Sequence, residues 1–136
     1  MHASYRINLV RGEDRRFPVT LVYRNPETGE NEAADITGAR FLLTVRSEPE
    51  DEVLAQLSTE NAGIVLGNMV DREFVAVDDG ETATSFQINF THDVTEDLVG
   101  RRMYYDLFLI RGNGPDEYRH CLMAGEVKAM RSPSYG

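Results

Sequence analysis

The stretch Arg102-Met103-Tyr104-Tyr105-Asp106-Leu107-Phe108-Leu109-Ile110 is the longest β-favouring run in the chain, and its alternation is apolar on both sides. In an extended strand Met103, Tyr105, Leu107 and Leu109 point one way, and Tyr104, Asp106, Phe108 and Ile110 point the other. A strand with two apolar faces belongs in the middle of a sheet, with a cover on each side. One cover is an opposing sheet. The other is a second protein or another segment of the same chain. Asp106 marks the outer side, because an unpaired buried carboxylate is costly.

Immediately upstream, Thr91-His92-Asp93-Val94-Thr95-Glu96-Asp97-Leu98-Val99-Gly100 has the character of a corner. Asp93 followed three residues later by Glu96 fits a helix N-cap with its capping-box partner. One helical turn over 94–98, ended by Gly100, is therefore expected. Downstream, Gly112-Asn113-Gly114-Pro115-Asp116 is a hairpin loop leading to a last long strand from about Tyr118 to Met130.

Further out, Tyr5 to Val10 forms a first strand, and residues 17–23 a second in which Phe17, Val19, Leu21 and Tyr23 alternate with more polar positions. Pro18 has no amide hydrogen, which places it near a strand start or on an edge. Asn25-Pro26-Glu27-Thr28-Gly29 is a turn, and Asp35-Ile36-Thr37-Gly38 a corner. Strands follow over 39–46, with Phe41, Leu43 and Val45 inward, and over 84–90, with Phe86, Ile88 and Phe90 inward and Gln87 and Asn89 outward. Between them lie Val53, Ala55 and Leu57 in alternation, a short apolar piece at 63–66, and a weaker strand at 69–77. About seven to nine short strands with frequent turn signals and one helical turn predict an all-β, immunoglobulin-like antiparallel sandwich with Greek-key connections. Tyr104 or Tyr105 can act as the corner tyrosine of that fold, although plain packing is the commoner use of Tyr in a strand. One domain over 1–130 and a short tail over 131–136 account for the 136 residues.

The net charge of −9 argues against nucleic acid, whose phosphates call for a basic surface. The single cysteine, Cys121, allows no intrachain disulfide, which suits folding in a reducing cytoplasm. No apolar run is long enough to span a membrane, and the N-terminus lacks the layout of a signal peptide.

Three short motifs taken together resemble a known family. Arg11-Gly12-Glu13 precedes the Phe17–Leu21 alternation; Ile36-Thr37-Gly38-Ala39 leads into a strand ending at Arg46; Gly100 precedes Tyr104, Tyr105 and Asp106. This arrangement resembles the N-terminal domain of phage baseplate upper proteins and similar small tail-associated virion proteins. Glu13 stands where that family usually has Asp, and Arg101 and Arg102 lengthen the glycine-to-tyrosine spacing. The resemblance implies an immunoglobulin-like structural domain that assembles into a virion and has no activity of its own.

No catalytic pattern competes with that reading. His120 and Cys121 are neighbours on a strand and point to opposite faces, so they cannot share a metal ion; His2 and His92 are scattered. Asp78, Asp79 and Glu81 share a loop but lack the alternating oxygen ligands of a calcium loop. No nucleophile elbow or phosphate loop is present. Neither cofactor nor metal is expected. Glycan binding ranks behind docking: the chain has no Trp for stacking, and Tyr5, Tyr23 and Tyr118 are the available substitutes.

The expected function is that of a non-enzymatic virion component made in the host cytoplasm, in the tail, baseplate or a fibre adaptor. Its expected partners are other virion proteins or copies of itself, not nucleic acid or membrane. A capsid decoration protein of the same fold, or a glycan-binding module, is the alternative. The expected docking patch comprises Leu42, Tyr104, Phe108, Ile110 and Leu122, on the outer face of the central strand and its two neighbours.

Overall fold

The computed structural model describes residues 3–48, 52–78, 80–98 and 102–131. Gly100, Arg101, Asp79, His2 and the tail over 132–136 lie outside them. In chain order the strands are β1 (Ala3–Ser4), β2 (Ile7–Val10), β3 (Arg15–Thr20), β4 (Val22–Arg24), β5 (Asn31–Ala33), β6 (Arg40–Glu48), β7 (Val53–Ser58), β8 (Ile64–Val70), β9 (Glu73–Ala76), β10 (Ser85–Phe90), β11 (Arg102–Arg111) and β12 (Tyr118–Met130). The helix α1 (His92–Glu96) precedes β11, and a 3-10 turn (Gly114–Asp116) sits between β11 and β12.

Two sheets face each other. The longer has the order β12-β11-β6-β7, all antiparallel, with β1 and β2 running parallel along the free side of β12. The shorter has the order β3-β10-β8-β9, also antiparallel. This is the immunoglobulin-like order, with β9 added at one edge. The alternation in the sequence explains the core. Phe41, Leu43 and Val45 of β6, Leu107 and Tyr105 of β11, and Phe86, Ile88 and Phe90 of β10 are all buried between the sheets. Phe41 and Phe86 stack across the gap with centroids 4.3 Å apart, and Phe17 meets Phe90 edge-on at 5.9 Å.

Four local expectations are corrected. The second strand breaks at Leu21: β3 stays in the shorter sheet, while β4 pairs with β5 as a separate hairpin. The Leu21 carbonyl accepts the amide of Ala34 (2.8 Å) as the next rung of that hairpin, and the Leu21 side chain packs against the core. The stretch 69–77 is no single strand but the turn of the β8–β9 hairpin, with Asp71 and Arg72 both at positive φ (50° and 69°) as a two-residue hairpin turn demands. The helical turn begins at His92, and its N-cap is Thr91, whose hydroxyl accepts the Val94 amide. Asp93 lies inside the first turn rather than at the cap, and Asp14 from another part of the chain accepts the His92 amide at 2.6 Å. Finally, Tyr105 does not close a tyrosine corner: its hydroxyl donates to the carbonyl of Tyr5 at 2.6 Å, while the backbone just upstream of Tyr104 lies outside the described residues.

Pro18 lies in β3, at the edge of the shorter sheet, where its missing amide hydrogen costs no ladder bond on the open side.

Candidate functional site

Strand β11 runs between β6 and β12, and its even-numbered residues face away from the core. Registers set their neighbours. Tyr104 lies between Arg46 and Glu126, Asp106 between Thr44 and Ala124, Phe108 between Leu42 and Cys121, and Ile110 between Arg40 and Arg119. Leu42, Tyr104 and Phe108 are half-buried. Phe108 and Leu42 are directly opposed across the ladder, close enough for side-chain contact. The structure thus brings Leu42, Tyr104, Phe108 and Ile110 onto one face, with Leu42 and Phe108 adjacent at its middle.

The position of Leu122 and the exposure of Ile110 are corrected. Leu122 is not beside Phe108. A β-bulge shifts the β11–β12 register between Leu107 and Phe108, so Leu107 pairs with Met123 and Phe108 with Cys121. Leu122 is the extra residue of that bulge, and its side chain packs against the core. Ile110 does face outward by register, yet only 7% of its surface is exposed. Its two cross-strand neighbours are arginines, whose apolar stems can cover it while their charged ends reach solvent.

Those arginines are held in place by Glu117. Arg119 Nε donates to one carboxylate oxygen at 2.8 Å and Arg40 Nη2 approaches the other at 3.5 Å. Arg40 also donates to the carbonyl of Gly112 at 2.6 Å. The hydrogen bond from Arg119 holds the Glu117 carboxyl below its ordinary range. One end of the face is therefore ionic. The other end has Glu126 bound to Arg6 at 3.0 Å, beside Tyr104. Between them Asp106, a half-buried residue whose carboxylate still meets solvent, makes no hydrogen bond among the described residues.

The motifs behind the family resemblance have structural duties instead. In the turn after β2, the Gly12 amide donates to the Thr95 hydroxyl at 3.0 Å, and that hydroxyl reaches the Glu13 carbonyl at 3.0 Å. Arg11 donates to the Glu96 carbonyl at 3.3 Å. The turn thereby clamps α1. At the second corner, Asp35 accepts both the amide and the hydroxyl of Thr37, at 2.9 and 2.6 Å, and the same hydroxyl accepts the Ala83 amide at 2.9 Å. The Thr37 hydroxyl bond, first, and its amide bond hold the Asp35 carboxyl below its usual value.

No group of three or more metal-ligating side chains occurs among the described residues. Cys121 faces Phe108 on the outer side while His120 pairs with Leu109, which points inward, so the two are split as their adjacency requires. The three tyrosines considered for sugar stacking are all exposed but do not gather. Tyr5 lies along the middle of β12, Tyr23 on the β4–β5 hairpin, and Tyr118 at the start of β12 against His120. An aromatic missed in the sequence is Phe74, which lies on the outer face of the shorter sheet. The Asp71-Arg72 turn that positions it carries no glycine to announce it. Compared with known proteins, the sequence matches no family model and no curated protein.

Proposed function

We propose that this chain is a non-enzymatic structural component of a phage virion, in the tail or baseplate, and that it works by docking to other virion proteins or to copies of itself. The reading joins the family resemblance to one observation: the apposition of Phe108 and Leu42 at the middle of an outer sheet face whose two ends are ionic. An apolar, aromatic centre with a charged rim is the usual anatomy of a protein interface. Asp106, half-buried beside that centre and without a hydrogen bond among the described residues, supplies a polar requirement that a correct partner meets and a wrong one leaves unpaired. The resemblance motifs tie turns and corners of the sandwich together, so the likeness is one of scaffold, and the docking face is free to differ from one relative to another.

Purified particles, separated into capsids and tails, test this reading by quantitative mass spectrometry. The chain is expected in the tail fraction at a fixed ratio to other tail proteins. Recovery with capsids would move it to the decoration role, and absence from particles would remove the reading altogether.

A further inference from the structure

We propose that the outer face of the shorter sheet is a second binding site, independent of the docking face, and that it takes a neutral pyranose unit of a glycan. Its floor is β10. Gln87 and Asn89 point away from the core there, between Arg16 and Pro18 of β3 and Val65 of β8. With Phe74 and Ala76 of β9, and with Asp14 and His92 at one end, they line a concavity of about 640 Å³. That volume is in the range of about 300–1,000 Å³ in which small-ligand sites fall.

The chemistry of the lining selects the ligand. The Gln87 Nε2 donates to Asn89 Oδ1 at 2.9 Å, which fixes both amides. Gln87 Oε1 and Asn89 Nδ2 make no hydrogen bond among the described residues, so the floor offers an acceptor on one amide and a donor on the other. A pair of adjacent sugar hydroxyls, each able both to donate and to accept, matches such a floor. The wall is the ring of Phe74, which lies over Gly67: a Cβ at Gly67 would fall 2.6 Å from Phe74 Cζ and closer still to the Val75 carbonyl. Only glycine lets the ring settle there, as an aromatic over a sheet glycine does elsewhere. The weakly positive C–H face of a pyranose packs on the negative face of such a ring.

Charge argues for a neutral sugar. The rim carries both signs: Arg16 makes no ion pair among the described residues, while Asp14 and Asp93 lie beside it with His92 between them. The net charge of −9 opposes an acidic polymer.

The test is a titration of the intact chain with methyl glucoside, methyl mannoside, maltose, lactose and cellobiose, with glucuronic acid as the charged probe, followed by amide nuclear magnetic resonance shifts. Saturable shifts are expected for at least one neutral probe, in the side-chain amides of Gln87 and Asn89 and the backbone of β9. Gln87→Ala and Phe74→Ala should each weaken binding by about tenfold or more, and Phe108→Ser, on the other sheet, should leave it unchanged. Melting curves of each variant separate lost binding from lost fold, and Gln87→Ala decides the matter where Phe74→Ala unfolds. Absence of shifts with every neutral probe, shifts that survive Gln87→Ala in a folded protein, or tighter binding of glucuronic acid would overturn the proposal.

Discussion

The hydroxyl of Tyr105, inside β11, donates a 2.6 Å hydrogen bond to the backbone carbonyl of Tyr5, a hundred positions earlier in the chain. The Tyr5 amide donates in turn to Ala124 at 3.1 Å. Gly125 makes the approach possible, because a Cβ there would collide with the Tyr5 carbonyl. The short pieces β1 and β2 are thus fastened to β12 by a core side chain as well as by strand pairing.

Tyr105→Phe should cost about 1–3 kcal/mol, since it leaves the Tyr5 carbonyl without its donor. Burial of the phenol pushes its pKa up from 10.0 to about 12. Above pH 10 the unfolded chain loses a proton that the folded chain retains, so the stability of the native protein is intact below pH 10 and falls as the pH rises toward 12. Denaturant melts across that window should show a shallower loss for Tyr105→Phe than for the native chain. An equal slope would mean that this phenol is not the group responsible. Gly125→Ala should speed amide exchange along β1 and β2, through displacement of the Tyr5 carbonyl.

Phe86 is fully buried and stacked on Phe41 across the two sheets. Phe86→Ala should cost about 3–5 kcal/mol, the usual penalty for a cavity of that size in a packed core. A chemical melt measures it, and a loss below about 1 kcal/mol would deny the pair its place in the core.

Asp14 and His92 latch the β2–β3 turn to α1. The Asp14 carboxylate accepts the His92 amide at 2.6 Å and faces its ring nitrogen at 3.1 Å. The backbone bond from His92, first, lowers the Asp14 pKa below 3.8, and the side-chain bond to Asp14, first, raises that of His92 above 6.5. The His92 contribution is complete below pH 6.5 and lost as the pH rises through its raised value. The Asp14 contribution is complete above pH 3.8 and lost as the pH falls through its lowered value. Both act together between 3.8 and 6.5. Asp14→Asn keeps the oxygen but removes the charge, so the titration midpoint of the His92 ring should fall. An unchanged midpoint would show that the ring does not sense Asp14.

The core was legible because period-two alternation survives translation into three dimensions: Phe41, Leu43, Phe86, Ile88, Leu107 and Leu109 are buried as the pattern predicts. What failed depended on partners distant in sequence. The helix starts at His92 with Thr91 as its cap, and the His92 amide finds its acceptor in Asp14 of the β2–β3 turn, 78 positions away. The bulge that turns Leu122 toward the core leaves no mark on a run of apolar residues, since one extra residue alters only the pairing. Ile110 is 7% exposed between two arginines that only the register brings alongside. Leu42, Tyr104 and Phe108 needed only alternation, and they share the face expected of them.

Particle incorporation of Phe108→Ser most directly measures the docking role proposed for the face centred on Phe108 and Leu42. Equal amounts of native and Phe108→Ser chain, distinguished by mass, are supplied during assembly, and their ratio is read in purified particles alongside melting curves of the two isolated proteins. The expected result is a folded variant that is nearly absent from particles. A folded variant incorporated as readily as the native chain would contradict it and remove this face from assembly.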